Sequence, residues 1–417
     1  MKIKAMTPEL RFQESSGIWK QRKLMDNILK IIDFRGRTPK KLGMDWSDKG
    51  YLALSALNVK NGYIDFSQDV HYGSRELYDK WMNGNELHQG QVLFTTEAPM
   101  GNVAQIPDDN KYILSQRTIA FVVNEKYICE DFLATLLRTP KLFHKLEMLT
   151  SGGTAKGISQ KSLMEVDVNL PEQLDEQIAI SRLLKNYGKR IHFQVEEIKK
   201  LQQFRQAMLT KLFPREGAAE PELRFRGFSG KWKLRRLSDF VKEVTRVDAS
   251  SHAPVMMITA ANGFINQSER YSFDNSGQSL QKYILLKQGE LAYNHGASKL
   301  RPFGSCFVLR EKEARVPFVY HCFSVTDNYA DFVALELNGN LVERQLRRIV
   351  SSGARMDGLL NISFEEYCTV KIALPCQEEQ RKIGNFFRNL DTYISLQQKK
   401  LERMQRLKAA LLEKLFV

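Results

Sequence analysis

Two stretches of this chain are near-copies of each other. Residues 8–24 read PELRFQESSGIWKQRKL and residues 221–237 read PELRFRGFSGKWKLRRL, aligned without a gap so that Trp19 falls on Trp232 and Leu24 on Leu237. So long a match is hard to reach by chance, and an internal repeat constrains architecture more than any single element does. A second pair agrees. GISQKSLMEVDVNLP (157–171) parallels NISFEEYCTVKIALP (361–375), followed by Glu176-Gln177 in one copy and Glu379-Gln380 in the other. From there two long segments run in step to Lys211-Leu212-Phe213 and Lys414-Leu415-Phe416. One half of the chain is a copy of the other.

Between the repeated blocks lie two regions, 25–170 and 238–374, that barely resemble each other. A faint echo survives in LHQGQVLFTTEA (87–98) and LKQGELAYNHGA (286–297). Both regions hold short apolar runs broken by Gly, Asn and Asp, as in NVKNGYIDF and MMITAANGFINQS, which predicts strands and turns with a few helices. The expected fold class is α+β: two globular regions joined by two long helices, with a pseudo-twofold internal repeat. In order, the blocks are a repeat segment (1–24), the first globular region (25–170), the first long helix (171–213), a linker and repeat segment (214–237), the second globular region (238–374) and the second long helix (375–417). The breaker-rich PREGAAEPE (214–222) marks the junction of the halves.

In the first long segment the apolar residues Ile180, Leu184, Tyr187, Ile191, Ile198, Leu201, Met208 and Leu212 recur in steps of three and four, a coiled-coil seam. Ile383, Phe387, Leu390, Ile394, Leu401, Met404, Leu411 and Leu415 repeat the pattern in the second. The interruptions superpose too: Gln194 and Arg205 in one, Gln397 and Lys408 in the other. A polar residue in such a seam costs stability but fixes register. Antiparallel packing about a pseudo-twofold axis would set Gln194 opposite Lys408 and Arg205 opposite Gln397, with Ile198 on Met404 and Leu201 on Leu401. Helices of roughly 35–38 residues span about 50–57 Å, enough to hold two globular regions one or more DNA turns of about 34–36 Å apart.

A chain of 417 residues with 43% apolar and 10% aromatic residues supports two or three domains with proper cores and is neither disordered nor low-complexity. Its 62 Lys+Arg against 48 Asp+Glu give a net charge of +14, which favours a polyanionic partner. Cys129, Cys306, Cys322, Cys368 and Cys376 form an odd set without C-x-x-C, so buried thiols in a reducing compartment are expected rather than zinc ribbons or disulfides. MKIKAMTPELRF offers no apolar run suited to a signal sequence, and no window has the apolar length of a membrane span; a cytoplasmic location is expected.

Catalytic motifs are missing from the sequence. There is no G-x-x-x-x-G-K-[ST] phosphate loop, no Asn-Pro-Pro or Asp-Pro-Pro tetrapeptide of an amino-methyltransferase, and no H-E-x-x-H; the seven histidines lack metal spacing, so no metal site is expected. FRGFSG (225–230) imitates a glycine-rich cofactor loop, but its counterpart in the first half is FQESSG and it follows no clear strand.

Taken together, the chain resembles the specificity subunit of Type I restriction–modification systems. PELRF…GxW at both repeats carries the resemblance, with GRTPKK (36–41) followed by GYLALSALNVKNGYI. TSGGT (150–154) before GIS and the Leu-Pro lead-in to Glu-Gln before each long helix, LPEQLDEQ (170–177) and LPCQEEQ (374–380), add to it. The second half departs from the pattern, having TRVDASSHAPVMMITAANG where a GxTP segment would stand. The resemblance implies two target-recognition domains, each reading half of a split, asymmetric DNA site, and an antiparallel coiled coil whose length sets the gap. It implies a non-catalytic chain whose repeated regions dock two methyltransferase subunits that methylate adenine with S-adenosylmethionine. Two motor-nuclease subunits using ATP with magnesium would join for cleavage.

For such a reader, affinity comes mainly from Lys and Arg on phosphates and specificity from polar side chains at base edges. In the first region Arg35, Arg37, Lys40 and Lys41 cluster at a Pro-marked turn. Thr95, Thr96 and Glu97 follow the apolar run QVLF; Gln116, Arg117 and Lys156 complete the set. In the second region Asn294, His295, Lys299 and Arg301 hold the matching turn, and Arg355 lies in the glycine loop SSGARMDG. His295 and His321 read as satisfied side chains or base contacts. Two other readings stay open: a stand-alone sequence-specific DNA-binding regulator, which would not need methyltransferase subunits, and a coiled-coil scaffold, which leaves the divergence of the globular regions unexplained.

Overall fold

A computed structural model of the chain describes residues 7–150, 157–269, 277–296, 298–350 and 360–417. It divides into two compact units, residues 1–196 with 399–417, and residues 197–398. Both long segments are helical throughout, Leu174–Lys211 and Gln377–Lys414, each of 38 residues. Each helix therefore gives one segment to each unit. Among the described residues no helix is long and apolar enough to cross a membrane.

In the N-terminal unit a four-stranded antiparallel sheet runs Ile28–Asp33, Thr118–Val123, Val92–Thr95, Val103–Gln105 in spatial order. Its buried strands, such as VLFT and TIAFVV, are near-continuous apolar runs because both faces are covered. One face meets helix Glu130–Leu137 and the start of the first long helix in a core containing Phe94, Phe121, Phe132, Ile180 and Leu184. The other packs on a second core around Leu54, Trp81 and Leu114. A separate ribbon pairs Trp19–Lys23 with Asp167–Pro171, so that the repeat segment and the lead-in to the long helix are neighbours.

The C-terminal unit repeats this plan on unlike residues. Its sheet runs Val241–Glu243, His321–Val325, Leu291–Asn294, Ser305–Val308 in the same spatial order. Its ribbon pairs Lys233–Arg236 with Lys371–Leu374, and helix Ala330–Leu337 stands where Glu130–Leu137 stands in the other copy.

The repeated motifs explain how each frame is locked. Arg11 of the first PELRF forks onto Glu176, Nε to Oε1 at 2.8 Å and Nη2 to Oε2 at 2.7 Å. Arg224 of the second forks onto Glu379 at 2.7 and 2.6 Å. Both glutamates are enclosed, their side chains 1% and 0% exposed. The adjacent glutamines tie each long helix to the short helix of its unit, Glu130–Leu137 or Ala330–Leu337. Gln177 Oε1 accepts from the Cys129 N–H (3.1 Å) and Gln380 Oε1 from the Tyr329 N–H (3.0 Å), serving helix amino ends that have no side-chain cap of their own.

Within each unit the two helical segments run antiparallel. In the N-terminal unit Ile180 and Leu184 share a core with Leu415 and Phe416, and further along Gly188 comes close to the Lys408 ammonium. In the C-terminal unit Tyr393 donates to Glu197 (3.3 Å), and Phe387 lies beside Phe213 with ring centroids 6.1 Å apart. The expected register needs correcting. Arg205 forks onto Asp391 (Nη2–Oδ2 2.9 Å) instead of Gln397, and the Lys408 ammonium reaches the level of Gly188 instead of Gln194. Both tips meet residues six positions from those expected, about 9 Å along a helix, part of it covered by the long side chains. Matching polar seam residues to one another overlooked Asp391, a full charge on the flank. Gln194 is nevertheless buried in the seam.

The aromatic closure of each unit uses the far end of a long helix. Phe416, two residues past the end of the second helix, packs edge-on to Trp19 (6.0 Å) and stacks on Phe132 (5.5 Å). Phe213, from the end of the first, does the same to Trp232 (6.0 Å) and Phe332 (5.4 Å). Backbone bonds follow suit: Leu10 N–H donates to the Lys414 carbonyl and Leu223 N–H to that of Lys211, both within single units.

Candidate nucleic-acid interface

In the N-terminal unit the loops carrying the candidate residues converge on one surface. Thr96 N–H donates to the Arg117 carbonyl and Ile158 N–H to the Thr96 carbonyl, both at 2.9 Å, and Glu97 bridges to Gly157. Gln160 Nε2 then donates to Asp33 Oδ2 at 2.7 Å, drawing in the turn after the first sheet strand. Turn 33–43, loop 95–101, Gln116-Arg117 and residues 157–160 thus form a contiguous set, positioned by rigid sheet strands as a reading surface needs.

The side chains divide sharply. Lys40 and Lys41 are exposed on a short turn capped by Thr38, with Lys41 Nζ donating to the Gly36 carbonyl at 2.7 Å. Gln116 is exposed, as is Arg117, which sits in the left-handed region (φ 62°) with Nε 3.5 Å from Glu97. These four, with Glu97, present charge and hydrogen-bonding groups to solvent. Arg35 is half-spent: it forks onto Asp33, which raises its pKa further and, against the opposing effect of burial, lowers that of Asp33. Arg37 lies over the Phe34 ring and bonds the Trp81 carbonyl, which makes it a brace for the turn.

Thr95 and Thr96 require correction as base contacts. They are 0% and 1% exposed. Thr95 Oγ1 donates to the Pro99 carbonyl (2.6 Å) and accepts from Asn102 N–H (2.9 Å), while Thr96 Oγ1 bonds the Arg117 carbonyl (3.2 Å). Their hydroxyls satisfy loop backbone that would otherwise be buried without partners.

The C-terminal unit gives the same division. Lys299 is exposed. Asn294 is a turn residue, donating to the Ile258 carbonyl (3.0 Å) and accepting from Gly296 N–H (2.9 Å). His295 is buried, its two ring nitrogens each 2.7 Å from a backbone carbonyl, those of Leu360 and Val319. It stacks on His321 with centroids 4.9 Å apart, and burial lowers the pKa of His321. Arg301 is half-buried and donates to the Asn338 carbonyl (2.7 Å) at the carboxyl end of helix Ala330–Leu337; burial, then Arg205, pushes its pKa down. Asn294, His295 and Arg301 therefore build the loop rather than face a ligand. Lys156 and Arg355 lie outside the described residues.

A second group of cations escaped the sequence reading. Arg138, Lys185 and Lys189 line one cavity of the N-terminal unit, although the first lies 47 residues from the second. Arg138 stands at the end of helix Glu130–Leu137 and the lysines on the solvent side of a seam, so no periodicity joins them.

With this geometry in view, the chain can be set beside known proteins. The family described as Type I restriction modification DNA specificity domain matches residues 18–203. Over those residues the chain is similar to this family. The matched span takes in the converged loops of the N-terminal unit. The whole fold is similar to a Type-I restriction–modification system S subunit from M. genitalium, with a TM-score of 0.63 over 99% of both chains at 15% identity. A further likeness is to the HsdS subunit from Thermoanaerobacter tengcongensis, at 17% identity over 95% of this chain and 96% of that one, with a TM-score of 0.42.

Proposed function

We propose that the chain is the DNA-recognition subunit of a Type I restriction–modification complex, reading a bipartite, asymmetric site with one half-site per unit. The observation that carries this reading is a frame kept twice with different loops mounted on it. Sheet order, ribbon, arginine–glutamate clamp and aromatic closure are duplicated, whereas Asp33, Glu97 and Arg117 on one set of loops have no like residues on the other. A shared frame whose presented loops differ in charge and hydrogen-bonding groups suits two different targets.

Two methyltransferase subunits would dock on the repeated helices. Phe193 (70% exposed) and Leu396 (57%) hold equivalent places in the two helices, as do Phe204 (46%) and Leu407 (44%). Each unit therefore exposes one Phe and one Leu from its helical pair. Large apolar side chains repeated at equivalent exposed sites suit two copies of one partner. Adenine methylation with S-adenosylmethionine, and cleavage driven by ATP and magnesium in motor-nuclease subunits, would belong to those partners inside the cell.

Methylome sequencing of a host with and without this chain tests the reading. A split motif carrying modified adenines and lost on deletion is the expected result. An unchanged methylome, with tight sequence-specific binding by the purified chain alone, would favour the stand-alone regulator.

A further inference from the structure

A cavity of about 600 Å³ opens within the N-terminal unit, between the recognition region and the first long helix. Gly62, Gln89, Gln105, Arg138, Lys185 and Lys189 are on its wall. Arg138 commits its Nε to the Ala134 carbonyl (2.8 Å), and its Nη1 lies 3.0 Å from where a Cβ on Gly62 would stand. Lys185 is held by Asp131 at 3.0 Å, and Asp131 is shared with Gln105. Asp131 also acts on Arg138 from a distance, but among the described residues no carboxylate makes a direct ion pair with Arg138, Lys189 or Lys408. Burial makes the charged forms of Arg138 and Lys408 harder to keep, and Arg138 adds to the effect on Lys408.

The other copy of the frame shows what is missing. Lys408 occupies the repeat position of Arg205, and Gly188 that of Asp391. In the C-terminal unit Arg205 is neutralised by its fork onto Asp391. In the N-terminal unit the Lys408 ammonium lies 3.4 Å from where a Cβ on Gly188 would stand, with no carboxylate there. The imbalance is compounded nearby, since Arg138 replaces Asn338 and Lys189 replaces Thr392 at the matching places. In the C-terminal copy Arg205 is paired with Asp391 although Arg301 stands nearby, whereas in the N-terminal copy Arg138, Lys185 and Lys189 line a space and Lys408, close to Arg138, finds no carboxylate at Gly188.

We infer that this cavity binds a phosphate group, which takes the place of the carboxylate the other copy supplies through Asp391. An arginine fork and mobile lysines suit a tetrahedral anion with several acceptor oxygens. The space exceeds what a single carboxylate side chain needs. The phosphate comes either from a free phosphate compound or from the backbone of bound DNA, and the two are separable by experiment.

The test uses the full chain without partner subunits. Thermal melting is followed against inorganic phosphate, with sodium chloride at matched ionic strength as the baseline, for the wild type, Gly188→Asp and Lys189→Met. The aspartate sits where the other copy carries one and replaces a poor helix former, so the variant is expected to fold at least as well. If the source is free phosphate, phosphate raises the wild-type melting temperature above the chloride baseline and Gly188→Asp weakens that response at least about tenfold, with Lys189→Met intermediate. If the source is DNA, phosphate matches chloride, but Gly188→Asp lowers the salt slope of duplex binding by about one. A phosphate response equal to chloride together with an unchanged salt slope overturns the inference, as does a phosphate response that survives Gly188→Asp. The phosphate arm contains no DNA, so its failure is distinct from failure of the proposed DNA-reading role.

Discussion

Glu336 is enclosed in helix Ala330–Leu337, and burial raises its pKa from an ordinary 4.5 to about 8. A carboxyl that keeps its proton more tightly when folded contributes stability fully below about pH 4.5, and loses it as pH rises through about 8. Glu336→Gln removes the titration. Wild type should lose melting temperature relative to the variant between pH 5 and 9; parallel curves across that range would refute this account. The same blindness to burial explains what could not be read at this scale from the sequence. Thr95, Thr96, Asn294, His295 and Arg301 are polar residues after apolar strands, which is how base-reading residues look too. Only the fold shows that their polar atoms are spent on backbone carbonyls and amides. Lys40, Gln116 and Arg117, of no more distinctive type, are the ones left facing solvent.

At the level of elements the repeats were visible, but not what they do to each other. PELRF and the Glu-Gln lead-in stand some 165 residues apart, and they are the two halves of a single clamp, Arg11 on Glu176, built again as Arg224 on Glu379. Removing the arginine leaves an enclosed carboxylate without its partner, which costs about 3–5 kcal/mol. Arg11→Ala should therefore lower the unfolding free energy of the N-terminal unit, read from urea denaturation, by that amount, and Arg11→Ala with Glu176→Gln should recover much of it. A loss below 1 kcal/mol would show that the clamp is dispensable. Helix extent was equally plain from the three-and-four spacing, because a seam of apolar residues leaves a periodic trace. Register left none: it depends on which flanking charge a long side chain reaches, and Arg205 reaches Asp391.

For the molecule as a whole, the sequence suggests blocks in series, whereas the compact units interleave: residues 399–417 belong with residues 1–196. Nothing local marks this, since the two helix ends carry the same Lys-Leu-Phe and either would suit either tryptophan. Phe416 seals the pocket beside Trp19, and Phe213 seals the one beside Trp232. A fragment of residues 1–213 would thus own a lock, at Trp19, and a key, at Phe213, that do not meet in the intact chain. Two such fragments can trade keys and become a symmetric pair, whereas the Phe213→Ala fragment should stay single and unstable in light scattering. A wild-type fragment that remained a stable monomer would contradict the exchange. A gene cut in half would then still encode a closed particle, one with two identical arms in place of two unlike ones.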